Sequence, residues 1–76
     1  MIIDEVKQTV ALTFDVPAEQ LDEESSGRTI PEWDSVGHLN LVMALEERFK
    51  ITFTVNEIIK MRDIQMIRRV LRDKLG

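Results

Sequence analysis

The sequence predicts an all-α domain: a small four-helix bundle of three longer helices and one short helix, with a long loop after the first. In three segments, apolar residues recur at the three- and four-residue spacing of one helix face. Glycine and proline number only 3 and 2 in 76 residues, and most of them fall in the stretch between the first two segments. A chain of this length is expected to form one domain, residues 1–76, with a modest core.

The composition excludes several classes of protein. With 43% hydrophobic and 32% charged residues, the chain is expected to be compact rather than disordered. The absence of cysteine excludes a disulfide framework and, with a single histidine, a structural zinc site. No apolar run reaches the roughly 20 residues of a membrane span. Because the first residues lack the apolar region of a signal peptide, a cytoplasmic protein is expected.

Charge is distributed unevenly along the chain. Residues 1–34 contain nine acidic and two basic residues, whereas residues 35–76 contain five acidic and eight basic residues, for a net charge of −4. The late bases are Arg62, Arg68, Arg69, Arg72 and Lys74. We disfavour a nucleic-acid site because the cluster lacks interleaved aromatic residues and the chain as a whole is acidic.

The first helix is predicted from one apolar face, formed by Ile3, Val6, Val10 and Phe14. It is expected to end before Pro17, which disfavours a helical conformation at Val16. Residues 17–33 then form a long polar connection that needs anchors in so small a domain. The apolar residues available to anchor it are Val16, Leu21, Ile30 and Trp33.

The acidic segment 22–27 of this loop has oxygen-bearing side chains followed by a glycine, as in a calcium-binding loop. An EF-hand loop that begins at Asp22 needs a glutamate at its twelfth position, and Trp33 stands there. We therefore interpret the segment as a solvated acidic loop.

The second helix begins near Asp34 and Ser35, which are both good N-cap residues. Its buried stripe is predicted to contain Leu41, Leu45 and Phe49. A neighbouring stripe, formed by Val36, Asn40 and Met43, adds more apolar surface than one core contact needs. Such a helix either lies in the middle of a bundle or keeps one face for a partner.

Two further helices are predicted after a brief extended piece that directs Ile51 and Phe53 inward. Thr54 and Glu57 match a capping box and begin a short helix through Met61, in which Ile58 and Met61 point inward. Asp63 caps the last helix. Its buried face is expected to contain Ile64, Ile67, Leu71 and Leu75.

The central segment resembles the acyl carrier proteins in Asp34-Ser35-Val36, in Leu41-Val42-Met43-Ala44-Leu45-Glu46-Glu47, and in Phe49 and Ile51. The resemblance implies a bundle of acyl-carrier type. It implies that Ser35 receives 4′-phosphopantetheine from coenzyme A and that Asp34 contacts the phosphopantetheinyl transferase. By the same resemblance, the chain is not an enzyme. The resemblance further implies a stand-alone monomeric carrier of an acyl or related carboxylate thioester in fatty acid, polyketide or other specialised biosynthesis.

The family's partner surface would fall on the second helix of this chain. Val36 and Met43 are the expected apolar anchors, with Glu46 and Glu47 as steering charges for acyl-loading ligases or transferases and for synthases. Family members are usually richer in acidic residues here, whereas Asn40, Arg48 and Lys50 lie nearby in this sequence. This difference favours a dedicated pathway over bulk fatty acid synthesis.

The sequence is compatible with three alternative functions to different degrees. Ser35 and His38 have the spacing of a nucleophile and base, but no third orienting group or oxyanion hole is evident, so His38 is expected to be an exposed polar residue. An aminoacyl or peptidyl carrier on the same fold stays open, although Glu32-Trp33 replaces the usual Gly-Gly. An unmodified helical adaptor that uses the same exposed face is the third.

The predicted interior suggests a limit on cargo. The space between the last three helices is expected to be lined by Leu41, Leu45, Phe53, Ile58, Met61, Ile67 and Leu71. The family often has a small residue at the position of Ile58. We therefore expect short or polar cargo, or cargo that stays outside the bundle.

Overall fold

The computed structural model describes residues 2–76 and shows four α-helices. They are α1 (Ile2–Phe14), α2 (Ser35–Phe49), α3 (Val55–Lys60) and α4 (Ile64–Leu75). A short 3₁₀ turn, Ala18–Gln20, lies in the loop between α1 and α2, and α1 packs against both α2 and α4. The prediction of an all-α bundle with three longer helices and one short helix is confirmed.

None of the helices in residues 2–76 combines the length and the apolar character that crossing a bilayer requires.

The core is made largely of the residues that the spacing predicted. Fully or nearly fully buried members of the predicted faces are Val6, Val10, Phe14, Leu41, Leu45, Phe53, Met61, Ile64, Ile67 and Leu71. The prediction for Leu75 was wrong: its side chain is 46% exposed. Residues 72–76 are all exposed, so α4 extends past the core there. Val42 and Val70 are buried in addition.

Capping side chains set the start of three helices, as predicted. The Asp34 carboxylate accepts a hydrogen bond from Gly37 N at 2.8 Å, and Asp63 accepts one from Met66 N at 2.8 Å. At α3, Thr54 and Glu57 form a reciprocal capping box. The predicted end of α3 at Met61 is one residue late, because Met61 is the C-cap of the helix.

The long first loop is held against the bundle at both of its ends and in its middle. Leu21, Ile30 and Trp33 are buried as predicted, and the Trp33 ring stacks on Phe14 with centroids 5.5 Å apart. Near its middle, the loop carbonyl of Ser25 accepts a hydrogen bond from Ile64 N at 3.1 Å. The loop therefore crosses from α1 to the start of α4 before it enters α2.

Helix α3 is attached lightly to the rest of the protein. It has no buried residue, and Ile58 is half-buried. On its outer side, Glu57 pairs with the Lys74 ammonium of α4 at 2.9 Å. With little apolar burial of its own, α3 depends on its caps and polar contacts.

We expect the stability of this helix to fall in acid. The hydrogen bond from the Thr54 backbone N–H, and then the contact with Lys74, hold the pKa of Glu57 below its ordinary value of 4.5. A lowered folded-state pKa stabilises the fold above pH 4.5, and this contribution is lost as the pH falls through the lower folded value. Glu57→Gln keeps the capping oxygen but removes the charge.

The free energy of unfolding of the wild type and of Glu57→Gln should therefore differ most above pH 4.5 and converge below it. Urea denaturation of both proteins at a series of pH values measures this difference. A difference that stays constant from neutral pH into acid would contradict the assignment.

Candidate functional site

Ser35 occupies the first helical position of α2, where its side chain faces solvent. Asp34 is the N-cap, and its carboxylate satisfies the N–H of Gly37. The N–H groups of Ser35 and Val36 have no protein partner within residues 2–76 and carry the positive end of the helix dipole. The arrangement leaves an accessible hydroxyl beside donors that favour a negative charge.

A groove opens beside Ser35 between the start of α2 and α3, with a volume of about 450 Å³. Its wall includes an exposed cation, Arg62, whose side chain forms no ion pair or hydrogen bond within residues 2–76. The lining residues are Gly27, Trp33, Asp34, Ser35, His38, Ile58, Ile59 and Arg62. A phosphate on Ser35 would therefore have both the helix N-terminus and a free guanidinium in its vicinity.

The prediction that His38 is an exposed polar residue was wrong. The side chain is half-buried, and both ring nitrogens are engaged. The Trp33 indole N–H donates to His38 Nδ1 at 3.0 Å, and His38 Nε2 donates to the Ile58 carbonyl at 2.8 Å. Neither nitrogen is free to take a proton from Ser35, so the pair does not form a nucleophile and base.

Gly37 holds the loop against α2 and was missed by the sequence analysis. An added Cβ would lie 2.1 Å from the Glu32 carbonyl oxygen and 2.9 Å from the Phe14 ring. The absence of a side chain lets the loop approach the first turn of α2, directly before Asp34 and Ser35. A glycine inside a helix, where alanine is intrinsically better, is the sequence signal that could have identified it.

The predicted apolar anchors of α2 are both exposed. The side chain of Val36 is 68% exposed and that of Met43 is 63% exposed. Leu39 on the same helix and Val55 and Ile59 on α3 are exposed as well, and the sequence analysis did not include them. We call these five residues the apolar surface. Val36, Leu39 and Met43 recur at i, i+3 and i+7, so they share one face of α2, and an apolar helix face open to solvent is typical of an interaction site.

The two predicted steering charges occupy different surroundings. Glu46 is half-buried, and its carboxylate accepts a hydrogen bond from Phe53 N at 2.9 Å, so it fixes the segment between α2 and α3. Glu47 is exposed and lies beside Arg48 and Lys50. Of the two glutamates, Glu47 is the one whose carboxylate is free to meet a partner.

Comparison with known proteins gives a match at the level of structure. No protein-family model and no curated protein matches the sequence. The fold is similar to the solution NMR structure of a holo acyl carrier protein from Geobacter metallireducens, with a TM-score of 0.85 and 30% sequence identity. The match covers 96% of this chain and 84% of that one.

Proposed function

This chain belongs to the acyl carrier protein family, whose members are carriers and not catalysts, and from this premise we propose that it carries 4′-phosphopantetheine on Ser35. The observation that supports this assignment is the exposed hydroxyl at the capped N-terminus of α2. When attached, the group supplies a thiol that holds an acyl or related carboxylate as a thioester. The chain has no cysteine of its own to compete for that acyl group.

The surroundings of Ser35 suit a phosphodiester. The unpartnered N–H groups of Ser35 and Val36 and the helix dipole favour a negative charge there. Arg62 on the wall of the adjacent groove adds a positive charge. Asp34 fixes the first turn through its bond to Gly37 N, and we assign it a second role as a contact of the phosphopantetheinyl transferase.

The same first turn leads into the apolar surface, which we assign to docking on partner enzymes. Carriers that visit several enzymes need a small interface with a few apolar anchors and with charges that orient the encounter. Val36 and Met43 serve as anchors on α2, with Glu47 as the steering charge. The partners in this proposal are an acyl-loading ligase or transferase and synthase enzymes.

Charge near this surface supports a dedicated pathway. The exposed residues of α2 and its C-cap include Asn40, Arg48 and Lys50, so Glu47 is accompanied by two cations. A partner with a mixed or weakly basic docking site complements this face better than a strongly basic one. We therefore propose specialised biosynthesis, rather than bulk fatty acid synthesis, as the setting.

A pair of substitutions on α2 separates docking from stability. Met43→Ala should slow acyl transfer by a partner enzyme and change the free energy of unfolding by less than about 0.5 kcal/mol, because the side chain lies at the surface. Leu45→Ala, two residues later and fully buried, should cost about 2–5 kcal/mol. Thermal melts and partner-dependent loading rates measure both effects.

If Met43→Ala melts far below the wild type but is loaded at the normal rate, Met43 belongs to the core and the docking surface lies elsewhere.

A further inference from the structure

Besides the packing of Ile58 against the core, two polar side-chain contacts tie α3 to neighbouring helices within residues 2–76. One is the pair between Glu57 and Lys74 of α4 on the outer side of the helix. The other is the hydrogen bond from His38 of α2 to the Ile58 carbonyl, which lies on the side of the groove that contains Ser35. Since α3 buries no residue completely, the His38 contact is the main polar link that holds it against α2 on this side.

On the α2 side of this hydrogen bond, the His38 ring is held in place by Trp33. His38 accepts a hydrogen bond from the Trp33 indole, stacks on that ring with centroids 6.3 Å apart, and Trp33 is itself buried against Phe14. On the α3 side, the Ile58 carbonyl is near the end of a six-residue helix, where carbonyls lack regular partners. Its other contact, from Met61 N, is long at 3.3 Å. His38 therefore supplies the stronger bond to this carbonyl.

The hydrogen bond between His38 and the Ile58 carbonyl lies on the route from Ser35 to the core, so it affects where cargo can lie. His38 and Ile58 both line the groove beside Ser35. Three residues further along each segment, Leu41 and Met61 are fully buried in the core. A chain attached through Ser35 would have to separate α2 from α3 at the His38–Ile58 bond to reach those two side chains.

We propose that the hydrogen-bonded chain Trp33–His38–Ile58 is a latch that keeps the cargo out of the core, with His38 as the residue that determines cargo specificity. With the latch closed, short acyl groups are carried at the surface. A long apolar acyl group gains no burial inside the protein. The inference rests on the proposed function, because it is the attachment at Ser35 that places the cargo at this groove.

The first arm of the test uses the unmodified protein and does not depend on Ser35. His38→Phe keeps a flat ring against Trp33 but removes both hydrogen bonds. Amide hydrogen exchange in residues 55–61 should become at least about tenfold faster in this variant, while the core amides of α1 and α4 stay unchanged. Asn40→Ala, an exposed position on the same helix, is the matched control and should leave α3 exchange as in the wild type.

The second arm compares acetyl and octanoyl groups loaded through phosphopantetheine on Ser35. In the wild type, the methyl resonances of Leu41, Met61 and Leu71 should be the same with either group. In His38→Phe, the octanoyl group should shift them and the acetyl group should not. Octanoyl-dependent shifts of equal size in the wild type, or unchanged α3 exchange in the variant, would overturn the proposal.

Failure of the proposed function and failure of the latch give different experimental results. If no protein accepts the prosthetic group at Ser35, the proposed function fails, while the exchange data still decide whether the latch holds α3. If His38→Phe does not fold, Trp33→Phe is the second variant. It removes the indole donor and part of the buried ring but keeps the bond from His38 to the Ile58 carbonyl, so it should accelerate α3 exchange by a smaller factor. No acceleration in Trp33→Phe would then count against the latch.

Discussion

Gly37→Ala should destabilise the protein markedly, even though alanine is the better helix former by about 1 kcal/mol. The new Cβ would lie 2.1 Å from the Glu32 carbonyl oxygen, a backbone atom that cannot turn aside, and 2.9 Å from the Phe14 ring. Overpacking of this kind costs about 1–3 kcal/mol and sometimes more. Because the clash lies between the loop and the first turn of α2, we expect a net loss of about 2 kcal/mol in the free energy of unfolding.

Urea denaturation measures this loss, with Asn40→Ala as the control on the exposed face of the same helix. The control should stay within about 0.5 kcal/mol of the wild type. Because the displaced loop holds Asp34, phosphopantetheine transfer to Gly37→Ala should also slow. A Gly37→Ala protein as stable as the wild type would show that the loop does not approach α2 as closely as described.

Ser35→Ala should abolish modification and leave the fold intact. The structure places Ser35 one residue inside the helix, with Asp34 as the cap, so the hydroxyl caps nothing and its removal should change stability by less than about 0.5 kcal/mol. The variant should melt like the wild type and gain no mass with coenzyme A and a permissive phosphopantetheinyl transferase.

Ser26→Ala is the matched control for this experiment, because Ser26 lies in the first loop and not at a helix start. It should be modified as fully as the wild type. Ser35→Ala protein that melts normally and still gains the prosthetic-group mass would refute the assignment of Ser35.

Local signals in the sequence predicted much of this structure. The caps at Asp34, Thr54 and Asp63 depend on residues within three positions, and their hydrogen bonds form as expected. The buried faces follow from helical spacing, since a helix in a small bundle has one side available for the core. The anchors of the long loop were also predictable, because few apolar residues occur in it.

The features that were missed or misplaced depend on contacts between distant segments. His38 is half-buried because Trp33 and the Ile58 carbonyl, twenty residues away, converge on its ring. Glu46 meets Phe53 N only because the chain reverses after α2. The close approach at Gly37 likewise arises where the loop returns to the helix. The spacing of residues along one segment contains no information about contacts with distant segments.

The exposed apolar residues include some that local spacing predicted and some that depend on packing between distant segments. Helical spacing alone separated Val36 and Met43 from the buried stripe of Leu41 and Leu45. Val55 and Ile59 of α3 are exposed as well, and their exposure follows from how α3 packs, which the sequence pattern did not specify.

The most direct test of the central claim is to locate the modification in the wild-type protein. After incubation with coenzyme A and a permissive phosphopantetheinyl transferase, the intact mass should rise by one phosphopantetheine group. Peptide fragmentation should then place the added mass on Ser35 within the sequence Glu32-Trp33-Asp34-Ser35-Val36. An unchanged intact mass, or an added group on Ser25 or Ser26, would contradict the claim that Ser35 is the carrier residue.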